Sequence, residues 1–181
     1  MRTHLTWLAL TALTLCAVPA SPARAWDPEA EKKEQKAIDD ALAAFRKSEP
    51  RLKVYFDNAY GYAIFPRIDK AGFVVGGAHG KGKVYVGGKP VGRATLSQGS
   101  VGLQVGWQAY SELIFFSDKA AFEAFKNGTA KFAASATAYA ISDGAATTAN
   151  YSDGVAVFVR GTAGLMADAS LGGQGFTFEP L

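Results

Sequence analysis

The chain has 181 residues, 49% hydrophobic and 19% charged, with a net charge of +3 and a single cysteine. That length suffices for one domain with a sizeable core. The weak charge and the lone cysteine argue against a strong nucleic-acid footprint, a disulfide framework or a cysteine-built metal centre.

Arg2 gives a basic start, Leu5 to Val18 is a nearly continuous apolar run, and Ala23-Arg24-Ala25 is an A-x-A cleavage site. This pattern predicts a signal peptide over residues 1–25 and a mature single domain over 26–181, periplasmic or secreted. Cys16 after Leu13-Thr14-Leu15 offers the alternative of a lipoprotein anchor, although a large Leu before the cysteine suits a lipobox poorly. Cleavage after Ala25 also removes Arg2, Arg24 and the cysteine, leaving 17 basic against 16 acidic residues. Stability then rests on the core alone.

Asp27-Pro28-Glu29 opens a helix across roughly 26–50, with a capping Asp and Pro at the first helical position. Ala37, Ile38, Ala41, Leu42 and Phe45 make one apolar stripe, opposite Lys32, Lys33, Lys36, Asp39 and Asp40. The mixed charge favours a helix packed on a sheet over an amphipathic membrane element. Pro50 starts a shorter helix with Leu52, Tyr55, Phe56 and Ala59, and Gly61 stands where a left-handed cap would end it.

Strands are expected near 62–65, 72–76, 83–87, 99–108 and 111–116, with Gly87 to Pro90 as a turn. Ser117 or Asp118 caps a helix bearing Phe122 and Phe125, ended by Asn127-Gly128. Strand patterns return over 131–141, 155–160, 165–171 and 176–178, while Ser142 to Asp153 is small and polar and reads as a loop. Most connections are too short for helical crossovers. The fold class predicted is therefore α+β, an antiparallel, closed or nearly closed sheet with two or three helices packed against it.

The chemistry-bearing motifs are sparse. Gly77 to Lys83 fits G-x-x-x-x-G-K, but Val84 replaces the required Ser or Thr and a strand follows instead of a helix. A basic hairpin tip is the better account. Together with the turn carrying Arg67 and Lys70, it places Arg67, Lys70, Lys81 and Lys83 at one end of the sheet as an anion-attracting edge, or simply as solubilising charges. In the mature chain expected after Ala25, His79 has no second histidine or cysteine as a zinc partner, no G-x-S-x-G elbow exists, and Asp57, Asp69, Glu112 and Asp168 are scattered. No enzyme, metal or cofactor is expected. Gly102 and Gly106, four apart on a strand, leave a smooth groove for a packed helix or an acyl chain. They join Gly76 and Gly77 as glycines expected where a side chain would collide.

Four ordered blocks carry a family resemblance: Ala63 to Pro66 (A-I-F-P), Ala71 to Gly77 (A-G-F-V-V-G-G), Gly80 to Gly82 (G-K-G) and Gly99 to Gly106 (G-S-V-G-L-Q-V-G). This arrangement resembles the SYLF family, the lipid-binding domain also called the yeast-type actin-binding domain, from about Leu52 to the end. It departs at Ile141 to Asn150, which lacks a G-P-x-G-R-type run, and at Gly172, where an acidic residue is expected. The resemblance implies lipid binding, since eukaryotic SYLF domains bind phosphoinositide membranes and some bind actin. In a secreted bacterial protein it implies phospholipid or an anionic membrane surface as partner, with Arg67, Lys70, Lys81 and Lys83 at the head groups; actin is not expected there. The alternative is an envelope structural or protein-interaction module. A small outer-membrane barrel is a third, disfavoured because most strands look shorter than the 9–11 residues such a span needs.

Overall fold

The computed structural model describes residues 27–72, 75–101, 106–129, 139–140, 151–161 and 174–181. Helix α1 spans Pro28–Ser48, and the Asp27 side chain accepts from the backbone N–H groups of Glu29 and Ala30 as anticipated. Of the anticipated stripe, Ile38, Leu42 and Phe45 are buried, Ala41 is partly so, and Ala37 faces out. Helix α2 (Leu52–Asn58) ends in an extended residue, Ala59. Gly61 is not its left-handed cap. It opens the first strand, where a Cβ would lie 2.5 Å from the Tyr85 carbonyl.

The strands are β1 (Gly61–Gly72), β2 (Val75–Val86), β3 (Lys89–Val101), β4 (Gly106–Phe116), β5 (Tyr139–Ala140), β6 (Val155–Gly161) and β7 (Gln174–Pro180). Helix α3 (Lys119–Lys126) follows β4, capped by Asp118, which accepts from the Ala121 N–H. The sheet order is β5-β6-β4-β1-β2-β3-β7. All pairings are antiparallel except the short β5 against β6. The fold is α+β, and among the described residues the sheet has two ends, β5 and β7.

Three strand expectations change. The segments near 62–65 and 72–76 are not two strands of their own: the first lies within β1, and of the second Gly72 ends β1 while Val75 and Gly76 open β2. The Gly77 to Lys83 stretch is the middle of β2, not a hairpin tip. The segment 99–108 is not one strand: residues 99–101 end β3 and residues 106–108 begin β4, so Gly106 does not share a strand with the end of β3. The turn at Gly87 and Gly88 is where composition puts it, with φ of +57° and +76° joining β2 to β3.

Pro66 explains the first change. A proline lacks the N–H that a central strand donates, and it is tolerated at a bulge. The register shifts there against both neighbours, between Ile64 and Arg67 on the β2 side and between Phe65 and Ile68 on the β4 side. The Pro66 carbonyl accepts from the Ser111 hydroxyl at 2.8 Å. The extra residue inverts the side-chain alternation along β1. Phe65 and Ile68 thus share one face, while Ile64 and Arg67 share the other.

One face holds Ile64, Tyr85, Leu113, Phe115, Ala156 and Phe158 under α1 and α2. The other, interior face holds Phe65, Ile68, Val84, Leu96, Ile114, Val157 and Phe176, with Phe122 and Phe125 of α3 against it. The sheet curls around this interior. Flat, β4 and β7 would stand about 19 Å apart across four spacings of about 4.8 Å. Yet the Gln174 amide of β7 donates to Glu112 Oε2 of β4 at 3.1 Å. Glycines on β2 make room for the curl: a Cβ on Gly82 would meet the Phe65 ring at 2.7 Å and the Ile64 carbonyl at 2.5 Å.

Candidate functional site

The β1 bulge decides where the basic residues point. Arg67 lies directly opposite Lys81, and Lys83, two residues on, lies opposite Ile64. All three are on the α1-facing side. Lys70 is opposite Ala78 and buried on the interior face. Simple alternation from Ala63 would have put Arg67 inside and Lys70 outside. The four residues expected at one end of the sheet are therefore split between two faces, and they sit along the strands because β2 runs straight through Gly77 to Lys83.

The three on the common face have different surroundings. Arg67 is exposed and pairs with Asp69 at 2.8 Å. Lys81 is exposed beside it. Lys83 is buried beneath α1 and donates to Gln35 Oε1 at 2.9 Å. Arg93 of β3 lies opposite Lys83 and reaches Glu34 of α1 at 3.3 Å. These links tie the N-terminal helix to the sheet, so Lys83 is a packing residue, and Arg67 with Lys81 is the accessible cationic pair.

Of the glycines singled out from sequence, Gly76 and Gly106 both pair with Gly72, forming a glycine row across β2, β1 and β4 at one end of the sheet. Gly77 lies opposite Gly99, and its Cβ would meet the Gln98 carbonyl at 3.3 Å, a mild approach. Gly102 lies outside the described residues. Among the described residues the tight strand positions are Gly61, Gly80, Gly82 and Gly92; at Gly92 a Cβ would run into the Phe178 ring.

A second cluster, inside the curl, was not anticipated. Glu112 is fully buried, and the Gln174 amide is its hydrogen-bond donor. Burial drives its carboxyl pKa up to about 7, while the Gln174 hydrogen bond pulls the other way. Tyr110, next along the same face, has its phenol pushed well above the usual range by burial first and by Glu112 second. Among the described residues, Glu112 Oε1 and Gln174 Oε1 are buried side-chain oxygens with no partner. A signal existed in the sequence: Tyr110, Glu112, Ile114 and Phe116 alternate on one face, and a carboxylate in an otherwise apolar set marks an interior charge.

Strand length no longer speaks against a membrane barrel, since β1 to β4 have 12, 12, 13 and 11 residues. Face chemistry does. Arg67, His79 and Lys81 stand exposed, with half-buried Asp69, on the side away from the interior, where a lipid-facing wall would need an apolar band.

No family model matches the chain. Over 143 residues, 78% of its length, it is 31% identical to Beta cell expansion factor A of Aeromonas veronii. The matched region is 54% of that relative, so the chain spans about half the length of the curated protein it matches.

Proposed function

We propose that this chain is a secreted, non-enzymatic SYLF-type protein that binds phospholipid membranes, its curled sheet nearly closing around the interior. Exposed Arg67 and Lys81 form the head-group contact. One observation carries the reading: these two cations stand directly opposite on neighbouring strands. Like charges so placed destabilise a sheet, and the Asp69 carboxylate pairs with the Arg67 side of the two. An anion delivered from outside, such as a lipid phosphate, removes that repulsion. The ordered glycine blocks support the same reading, because all of them that fall on described residues lie on the adjacent strands β1 to β4.

Vesicle co-sedimentation tests it. Each basic residue near an anionic membrane contributes about 1 kcal/mol, screened by salt. An Arg67→Ser/Lys81→Ser variant is expected to bind anionic vesicles roughly 30-fold more weakly at low salt. Equal binding by variant and wild type would discard the head-group assignment. Failure of the wild type to bind either anionic or zwitterionic vesicles would discard the lipid reading. The envelope protein-interaction module would then take its place, since Arg67–Asp69 and Arg93–Glu34 already give that face the mixed charge of a protein-binding surface.

A further inference from the structure

The interior cluster holds a contradiction that one proton resolves. Glu112 and Gln174 are joined on one side by the amide donating to Oε2, while the remaining oxygen of each has no donor among the described residues. A buried acceptor left unpaired is costly, and two of them on partnered side chains more so. We infer that Glu112 is a neutral carboxylic acid in the folded protein, paired reciprocally with the Gln174 amide as a proton-dependent latch that ties strand β7 across the interior to β4. In that pair the Gln174 N–H donates to Oε2, and the acid O–H on Oε1 donates to Gln174 Oε1. Both orphaned oxygens are satisfied by a single hydrogen.

The surroundings favour the neutral acid. On β4 the facing titratable group is Tyr110, held as the neutral phenol by burial and itself hydrogen-bonded to the Gln174 side chain. On β1 it is Lys70, two interior positions from Phe65 along the strand; no ion pair joins it to Glu112 among the described residues. The interior positions of β2 (Ala78, Gly80, Gly82, Val84), β3 (Ala94, Leu96, Gln98) and β6 (Val155, Val157, Val159) carry no charge. On β7 the neighbours of Gln174 are Phe176 and Phe178. The charged residues of α3, Glu123 and Lys126, pair with each other at 3.0 Å. Nothing described there compensates a carboxylate, and the pKa of about 7 agrees.

The consequence is regulatory. Once the proton is lost, Oε1 and Gln174 Oε1 are both buried acceptors without a donor among the described residues, and the latch loses half its hydrogen bonding. Strand β7 pairs with β3 on one side, and the latch is its side-chain hydrogen bond across the interior. Opening of β7 uncovers Phe65, Leu96 and Phe176, so access to the apolar interior rises with pH through the Glu112 titration. This holds whichever partner the outer face binds.

The test is a pair of measurements on the same protein. The Glu112 side-chain carboxyl carbon, followed by nuclear magnetic resonance, is expected to titrate near pH 7. A midpoint in the ordinary carboxylate range overturns the proposal. Hydrogen exchange of the β7 amides, corrected for intrinsic rate, is expected to lose about 30-fold in protection between pH 5.5 and pH 8, the linkage for a carboxyl raised from 4.5 to about 7. In Glu112→Gln, whose amide reproduces the reciprocal pair without titrating, β7 protection should stay at the low-pH level throughout. Equal pH dependence in variant and wild type overturns the latch, and the wild-type titration decides the matter if the variant fails to fold.

Discussion

Replacing Gly82 by alanine adds one methyl to a place with no room for it. The Cβ would lie 2.5 Å from the Ile64 carbonyl and 2.7 and 3.0 Å from two carbons of the Phe65 ring. The carbonyl belongs to the β1 backbone, held by ladders to β2 and β4 at once, so it yields little. The ring is no freer, because Phe65 is fully buried and packs on Phe176 at 5.8 Å between centroids. Overpacking of this kind typically costs about 1–3 kcal/mol, and a rigid neighbour puts the cost at the upper end, about 2–3 kcal/mol. For a domain of this size that lowers Tm by about 4–12 °C. The control is Gly99→Ala, in a strand of the same sheet, where a Cβ meets nothing within 4 Å and the change should stay within about 0.5 kcal/mol. Urea unfolding followed by tryptophan fluorescence gives both values. Equal midpoints for the two variants would refute the claim that the curl depends on this glycine. Adding Phe65→Leu to the Gly82→Ala protein should return part of the loss.

Three further outcomes follow from the same packing. Glu112 keeps its proton in the folded chain up to about pH 7, whereas an unfolded carboxyl loses it near 4.5. Its contribution therefore falls as pH rises through that window and levels off above it, by about 3 kcal/mol in all. Urea midpoints of wild type and Glu112→Gln between pH 4.5 and 8 should diverge in that sense, and parallel curves would contradict it. Phe176→Ala removes a ring that touches Phe65 and Phe125, and should cost about 3–5 kcal/mol in the same assay. Asp27→Ala deletes the α1 cap and should cost about 1 kcal/mol, while Asp27→Asn should restore most of it.

Local rules carried the helices well because their signals are local. Asp27 and Asp118 cap where they should, and the Ile38–Leu42–Phe45 stripe meets the sheet as its spacing requires. The β2–β3 turn was legible for the same reason, since Gly87 and Gly88 supply the two positive φ values it needs. The basic group was misplaced because its position hangs on one bulge at Pro66. Bulges invert alternation without a composition change, so Arg67 and Lys70 exchanged faces relative to a regular strand. The Gly77 to Lys83 run looked like a turn because its glycines are dense. Those at Gly80 and Gly82 serve side chains of β1 instead, a long-range demand that sequence spacing does not display. The Glu112–Gln174 pair was invisible for a related reason: its members lie on strands that meet only when the sheet curls.

The strand order also sets the order of assembly. Strands β1, β2 and β3 pair with their sequence neighbours, so this meander forms from short loops and at small entropic cost. Strand β4 must then bypass two strands to reach β1, and the outer edge of β3 waits for β7, supplied by the most distant described segment of the chain. Until Gln174–Pro180 arrives, the backbone donors and acceptors from Gly92 to Gln98 face outward unpaired, an invitation to pairing between molecules. Chains cut short before Gln174 should therefore aggregate through β3, whereas chains that retain β7 should keep that edge paired and stay monodisperse under the same conditions.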